Sequence, residues 1–115
     1  MDKFDGTPGP WVVDVRGGCV AVYQDGRQED TNGCHFDDDR NIAYSNKGAE
    51  YDKVVGYWNM DKKTIRDFTL ISAAPELLEA LQQCADWLDI HAPAGSAESF
   101  CVDEARTAIA KALGK

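Results

Sequence analysis

Between Thr64 and His91 the apolar residues hold a helical period, and no other long segment of the chain does. Leu77, Leu81, Cys84 and Leu88 recur at steps of four, three and four, and Leu78 and Ala85 widen the stripe. Glu76, Glu79, Gln82, Gln83, Asp86 and Asp89 fall mostly on the other side, which makes an amphipathic helix with one face to bury. Pro75 suits a first helical turn, where its missing N–H costs nothing. It also drives Ala74 away from the helical region, so a separate helix should precede it. Thr64 with Asp67 three residues on is the expected cap of that earlier piece, and Ile65, Phe68 and Ile71 give it an apolar side. The spacing therefore predicts a bent pair over 64–73 and 75–90. Each large side chain on the stripe gains ~1.5–3 kcal/mol when buried, and a helix of this length is marginal alone in water. The stripe must meet other elements, and the N-terminal half is the expected partner.

That half reads as strands. Thr7-Pro8-Gly9-Pro10 is a rigid lead-in. Trp11 to Val15 and Cys19 to Tyr23 are strands joined as a hairpin through Gly17-Gly18, with the turn type left open. Asp25-Gly26 signals a turn, and Arg27 to Asp30 is a weak third strand. Cys34-His35-Phe36 is short and gives way to the charged run Asp37-Asp38-Asp39-Arg40. Asn41 to Tyr44 is a strand ended by Ser45-Asn46-Lys47-Gly48. Val54 to Trp58 is the last β candidate, on its β-branched and aromatic residues. Beyond the loop Ala92 to Ser96, Ser99 is expected to cap a final helix from Phe100 to Leu113. Ala105, Ala108, Ile109, Ala112 and Leu113 are its expected inner face, and Gly114 ends it.

Strands first and helices last indicate α+β: an antiparallel sheet of about four to five strands in the N-terminal half, packed by two to three C-terminal helices. At 115 residues the expectation is a single domain over 1–115, β-rich at 7–60 and helical at 64–113. No apolar run approaches a membrane span, and the N-terminus lacks a signal-peptide layout. A cytoplasmic location, without a membrane partner, is the expectation. The net charge of −8 argues against direct nucleic-acid binding, which needs a basic surface to displace counterions. Cys19, Cys34, Cys84 and Cys101 form no CxxC pair. In a reducing compartment they are expected as small buried hydrophobes and not disulfides.

Two motifs stand out together: Thr7-Pro8-Gly9-Pro10-Trp11, and Leu70 to Leu81, LISAAPELLEAL. Ala105 to Ala112 is a weaker third. The chain resembles a group of small phage and prophage proteins that open on TPGPW and carry a LIAAAPELLEAL-type helix. Ser72 stands where that pattern has alanine, and residues 24–61 match nothing in it. The resemblance implies a phage or prophage origin and action inside a bacterial cell, and it carries no catalytic residues to transfer. Structurally it offers Trp11 as a large ring for the core and Pro75 as the corner between two helices.

Candidate chemistry is thin. Asp37-Asp38-Asp39-Arg40-Asn41 resembles the start of a calcium loop, but Ile42 and Gly48 stand where that loop needs Gly and Glu. Cys34-His35 has no partners at zinc spacing. A nucleophile pairing Cys34, Cys84 or Cys101 with His35 or His91 has nothing to mark one thiol as activated. No phosphate-binding glycine loop follows a strand. No catalytic residue, cofactor or metal is assigned. The aromatics are the more informative signal. Tyr57 and Trp58 are neighbours on a strand, so one must face away from the core and is a candidate interaction hot spot. The leading expectation is a non-catalytic binding protein whose acidic residues, Glu29, Asp30, Asp37, Asp38 and Asp39, meet the basic surface of a host protein. The alternative is a nucleotide-sequestering protein whose aromatics stack on a base, with Arg16, Arg27, Arg40 or Lys53 for the charge. A homodimer through the alanine-rich last helix runs alongside both.

Overall fold

The computed structural model describes residues 3–28 and 40–115. Over these described residues the chain is α+β, with five strands in two antiparallel sheets followed by three helices. It divides into two compact units, residues 6–75 and residues 76–115 with the N-terminal few.

The first unit is built on β1 (Trp11–Arg16) and β2 (Cys19–Gln24). They pair antiparallel from Trp11 opposite Gln24 to Arg16 opposite Cys19, which leaves Gly17-Gly18 as a two-residue loop. Gly17 takes a φ of +54°, a left-handed value that glycine adopts without strain. β3 (Ala43–Ser45) pairs with the other edge of β2, making the order β1-β2-β3. As the central strand, β2 is buried without alternation from Cys19 to Tyr23. A strand covered on both faces reads as a continuous apolar run, and CVAVY is one. Trp11 is half-buried, with its indole N–H donating to the Thr7 carbonyl at 3.1 Å.

The second sheet is the hairpin of β4 (Ala49–Asp52) and β5 (Tyr57–Met60). Here the expectation of a strand over 54–58 fails: Lys53 to Gly56 is the hairpin turn. Asp52 overrides the β preference of Val54 and Val55. Its carboxylate accepts from both their amides, at 2.9 and 3.2 Å, and its carbonyl accepts from Gly56 N–H at 2.8 Å. A local side chain thus competes with the sheet for the backbone. β4 has no β-branched residue and gave no strand signal. Arg27 and Gln28 of the expected third strand lie in a turn, and Glu29 and Asp30 fall outside the described residues.

α1 (Lys62–Ser72) packs on β1 and β2, with Ile65 and Phe68 on its half-buried side and Ile71 exposed. Its cap is Asp61 and not the expected Thr64: the carboxylate accepts from Thr64 N–H at 2.7 Å. The β3–β4 turn seats on this helix start. Gly48 has a φ of +90°, its carbonyl accepts from Asp61 N–H at 3.0 Å, and a Cβ there would lie 2.5 Å from the Asp61 carboxylate. The two sequence motifs also meet in this unit. A Cβ on Gly9 would stand 2.7 Å from the Pro75 Cβ.

In the other unit, α2 (Ala74–His91) runs to a short turn and α3 (Ala97–Ala112). The inner face of α2 is Leu78, Leu81, Ala85 and Leu88, with Ala92 following just past its end. Leu77 and Cys84, expected inside, are exposed. The helix has rotated by one residue because two adjacent stripes are both apolar, and periodicity alone does not choose between them. α3 starts earlier than expected. Ser96, not Ser99, is its cap and accepts from Ser99 N–H at 3.2 Å. Its inner residues are Val102, Ala105, Ile109 and Leu113, whereas Ala108 and Ala112 face out. Gly114 closes it as expected, at φ +78°, with Gly114 and Lys115 N–H bonding back to Lys111 and Ala110, a Schellman arrangement. Arg106 ties α3 to α2, donating to Asp86 at 2.6 Å and Asp89 at 2.5 Å. These carboxylates raise its already high pKa.

Two outcomes are expected. Gly9→Ala should lower stability by about 1–3 kcal/mol through overpacking against Pro75, measured by urea unfolding. Pro75→Gly in the same chain should recover part of that loss in a double-mutant cycle. The hydrogen bonds from Thr64 hold the Asp61 pKa below its ordinary value. The folded state therefore gains stability from ionised Asp61 above the unfolded-state pKa, and loses it as pH falls through the lowered folded value. Asp61→Asn keeps a capping oxygen but not the charge. Its unfolding midpoint should lie below wild type at neutral pH and converge with it in acid.

Candidate binding surface

The β4–β5 hairpin carries three aromatic residues, Tyr51, Tyr57 and Trp58. Tyr51 pairs directly across from Trp58, and their rings lie 5.4 Å apart at 58°. Cross-strand aromatic pairs of this kind stiffen a hairpin. Both rings are nonetheless more than half exposed, as is Tyr57. At the tip Val54 is 96% exposed and Val55 follows it. The Asp52 turn sets these two valines in water, and Gly56 completes it at φ +84°. The result is one contiguous hairpin carrying five large apolar or aromatic side chains with little cover.

At its base the hairpin meets the tip of β1–β2. A Cβ on Gly18 would approach the Trp58 Cβ to 3.0 Å and the Ala49 Cβ to 3.2 Å. The absence of side chains at the β1–β2 turn is what lets the two sheets come this close. Beside that contact lies an open pocket of about 670 Å³, lined by Arg16, Gly18, Cys19, Tyr44, Asn46, Ala49 and Trp58. Arg16 is oriented there by Nε on the Asp14 carboxylate at 2.8 Å and a terminal N–H on the Gln28 carbonyl at 3.0 Å. The Cys19 thiol is buried and donates to the Arg16 carbonyl at 3.1 Å.

Of the residues singled out in the sequence, Tyr57 and Trp58 lie on this hairpin. One of the two was expected to face away, and both are exposed. Asp37, Asp38, Asp39, Cys34 and His35 lie outside the described residues. Cys19 is buried as expected, but Cys84 and Cys101 are exposed, which corrects the reading of all the thiols as core residues. Cys84 faces out because α2 is rotated by one position, and Cys101 because the helix holding it turns Val102 inward instead. His91 stacks on Trp87, with ring centroids 4.1 Å apart, and its Nδ1 is 2.7 Å from the Trp87 carbonyl. Tyr51, Val54 and Val55 were missed as surface residues. One signal for them was available: Asp52 and Gly56 bracket a turn that places Tyr51 and Trp58 opposite one another.

A family model of Salmonella phage P22 protein Y8K6 matches residues 1–115. The chain belongs to that family. It is thus a phage protein, in agreement with the origin implied by the TPGPW and helix motifs, from a family to which no activity is attached. Neither the curated proteins nor the solved structures contain a match. Among the described residues no helix is long and apolar enough to cross a membrane, and no group of three or more His, Cys, Asp or Glu could hold a metal ion.

Thiol reactivity checks the placement of the cysteines. In the native protein Cys84 and Cys101 should react with a disulfide reagent within the mixing time of a manual assay. Cys19 should react only on unfolding, with each site assigned by peptide mass spectrometry.

Proposed function

We propose that this phage protein acts in the host cytoplasm by binding a host protein, without catalysis, and that the β4–β5 hairpin is its contact surface. The observation that carries this reading is the exposed set Tyr51, Val54, Val55, Tyr57 and Trp58 on one rigid hairpin. Tyr and Trp dominate interface energetics because they bury large area at little entropic cost. Exposing this much apolar surface on a small domain is costly in solubility unless a partner covers it. The net charge of −8 favours a partner with a basic surface, and the acidic residues Asp37, Asp38 and Asp39 would speed encounter with it.

A second reading is supported by the pocket at the hairpin base. Trp58 and Tyr44 offer rings for stacking, Asn46 offers an amide for the edge of a base, and Arg16 offers a charge. Its size is within the range of small-molecule sites. A nucleotide is the ligand class that uses all of these groups.

One pair of measurements separates the two. Tagged protein is used to capture partners from host lysate, with each captured protein quantified for wild type, for Tyr51→Ala/Trp58→Ala, and for Asp37, Asp38 and Asp39 all changed to Asn. The first reading expects a specific basic protein, confirmed with purified components, whose affinity falls about tenfold or more on loss of the aromatics. Removing the acidic residues should weaken its capture mainly at low salt. Equal capture by all three proteins sinks the reading. In parallel, a thermal-shift panel of nucleotides should leave wild type unmoved if the first reading holds. Stabilisation that disappears in Trp58→Ala would favour the second.

A further inference from the structure

The charges around the pocket at the hairpin base limit what it can hold. Among the described residues that line it, Arg16 is the one cation. Its Nε donates to the Asp14 carboxylate at 2.8 Å, and a terminal N–H donates to the Gln28 carbonyl at 3.0 Å. Both side chains of that ion pair are mostly buried, so salt screens them less than a surface pair. Beyond a few ångströms the carboxylate cancels most of the guanidinium's field. Arg16 thus remains a hydrogen-bond donor but supplies little net positive charge. The net charge of −8 adds a repulsive background for any anion. Phosphate groups are often held by backbone amides at a helix start. In this unit the start of α1 already carries the Asp61 carboxylate, which accepts from Thr64 N–H at 2.7 Å.

The groups that recognise a flat base are better provided. Trp58 and Tyr44 line the pocket with rings, and base–aromatic stacking tolerates any base. Asn46 adds selectivity. Its carbonyl accepts from Ala49 N–H at 3.3 Å, while its side-chain amide makes no hydrogen bond among the described residues. A carboxamide accepts at one atom and donates at the next. That matches the adenine edge, where the N6 amino group donates beside the N7 acceptor. Guanine sets two acceptors, O6 and N7, at the same place.

We propose that this pocket holds an adenine base carrying at most one negative charge, as in adenosine or cyclic adenosine monophosphate, and discriminates against adenosine di- and triphosphates. The proposal rests on the second reading above, in which the pocket and not the hairpin face is the functional site. Trp58 stacks on the base, Asn46 reads its edge, and Arg16 donates to the ribose or to the single phosphodiester. Each further phosphate charge meets no uncompensated cation. Asp14 is therefore a specificity residue that acts through Arg16, by keeping the site from becoming a polyanion site.

The test is calorimetric titration of the full chain with adenosine, guanosine, cyclic adenosine monophosphate, ADP and ATP, at low and high salt. Adenosine and the cyclic monophosphate should bind, and ATP should bind about tenfold or more weakly at low salt, with the gap closing at high salt. Asn46→Ala, at an exposed position, should erase the preference for adenosine over guanosine and leave the unfolding midpoint unchanged. Trp58→Ala should weaken every ligand that binds. Asp14→Asn keeps an acceptor for Arg16 and removes the opposing charge. It should tighten ATP about tenfold and leave adenosine unchanged, a split that loss of structure would not produce. If ATP binds wild type more tightly than adenosine, the pocket remains a nucleotide site and the charge limit is overturned. Binding of guanosine as tight as adenosine overturns the assigned role of Asn46 and the choice of adenine. If no nucleoside or nucleotide binds at millimolar concentration, the second reading falls and takes the proposal with it.

Discussion

Everything in the first unit depends on sealing β2 from water on both faces. Val20, Ala21, Val22 and Tyr23 have no exposed surface, so residues of both parities along the strand need cover. β1 and β3 occupy its two edges, and α1 and β5 both pack against the β1–β2 pair. Each of these elements is short. None would hold its shape alone, since isolated hairpins and single helices are marginal in water. Their common contact with one apolar strand makes them cooperative, and it explains why so small a core suffices for seventy residues of chain.

The close contacts between elements are made where side chains are missing or cyclic. Gly9 lies against Pro75, Gly18 against Trp58 and Ala49, and Gly48 against the Asp61 cap of α1. Each glycine lets backbone approach a side chain that a Cβ would push away. This gives a physical account of the paired motifs. TPGPW and the APELLEAL helix start are far apart in sequence, yet the glycine of one touches the proline of the other. The motifs of the phage family resemblance describe an interlock between the lead-in and the start of α2.

The same economy leaves apolar surface unused. The β4–β5 hairpin spends only Met60 on the core and holds Tyr51, Tyr57 and Trp58 outside. α2 spends one of two adjacent apolar stripes. A protein of this size could have been built with fewer exposed rings and with polar residues on the second stripe.

The strands β1 and β2, their glycine turn, the division of the helical segment near Pro75 and the α+β order were legible in the sequence, because each rests on local chemistry: β-branched enrichment, glycine φ freedom, the proline ring; the break itself falls at Ala73, and Ala74 is already helical. Helix starts were displaced by a few residues, since Asp61 and Ser96 outcompeted Thr64 and Ser99 for the first free amides. The β4–β5 hairpin was misread because the Asp52 carboxylate, not the propensity of Val54 and Val55, decides where the chain reverses. Which of two neighbouring stripes on α2 turns inward, and so whether Leu77 and Cys84 are core or surface, was decided only in three dimensions. Periodicity shows that a face is apolar; which face leaves water is decided where α2 meets α3, around Ala85, Val102 and Ile109.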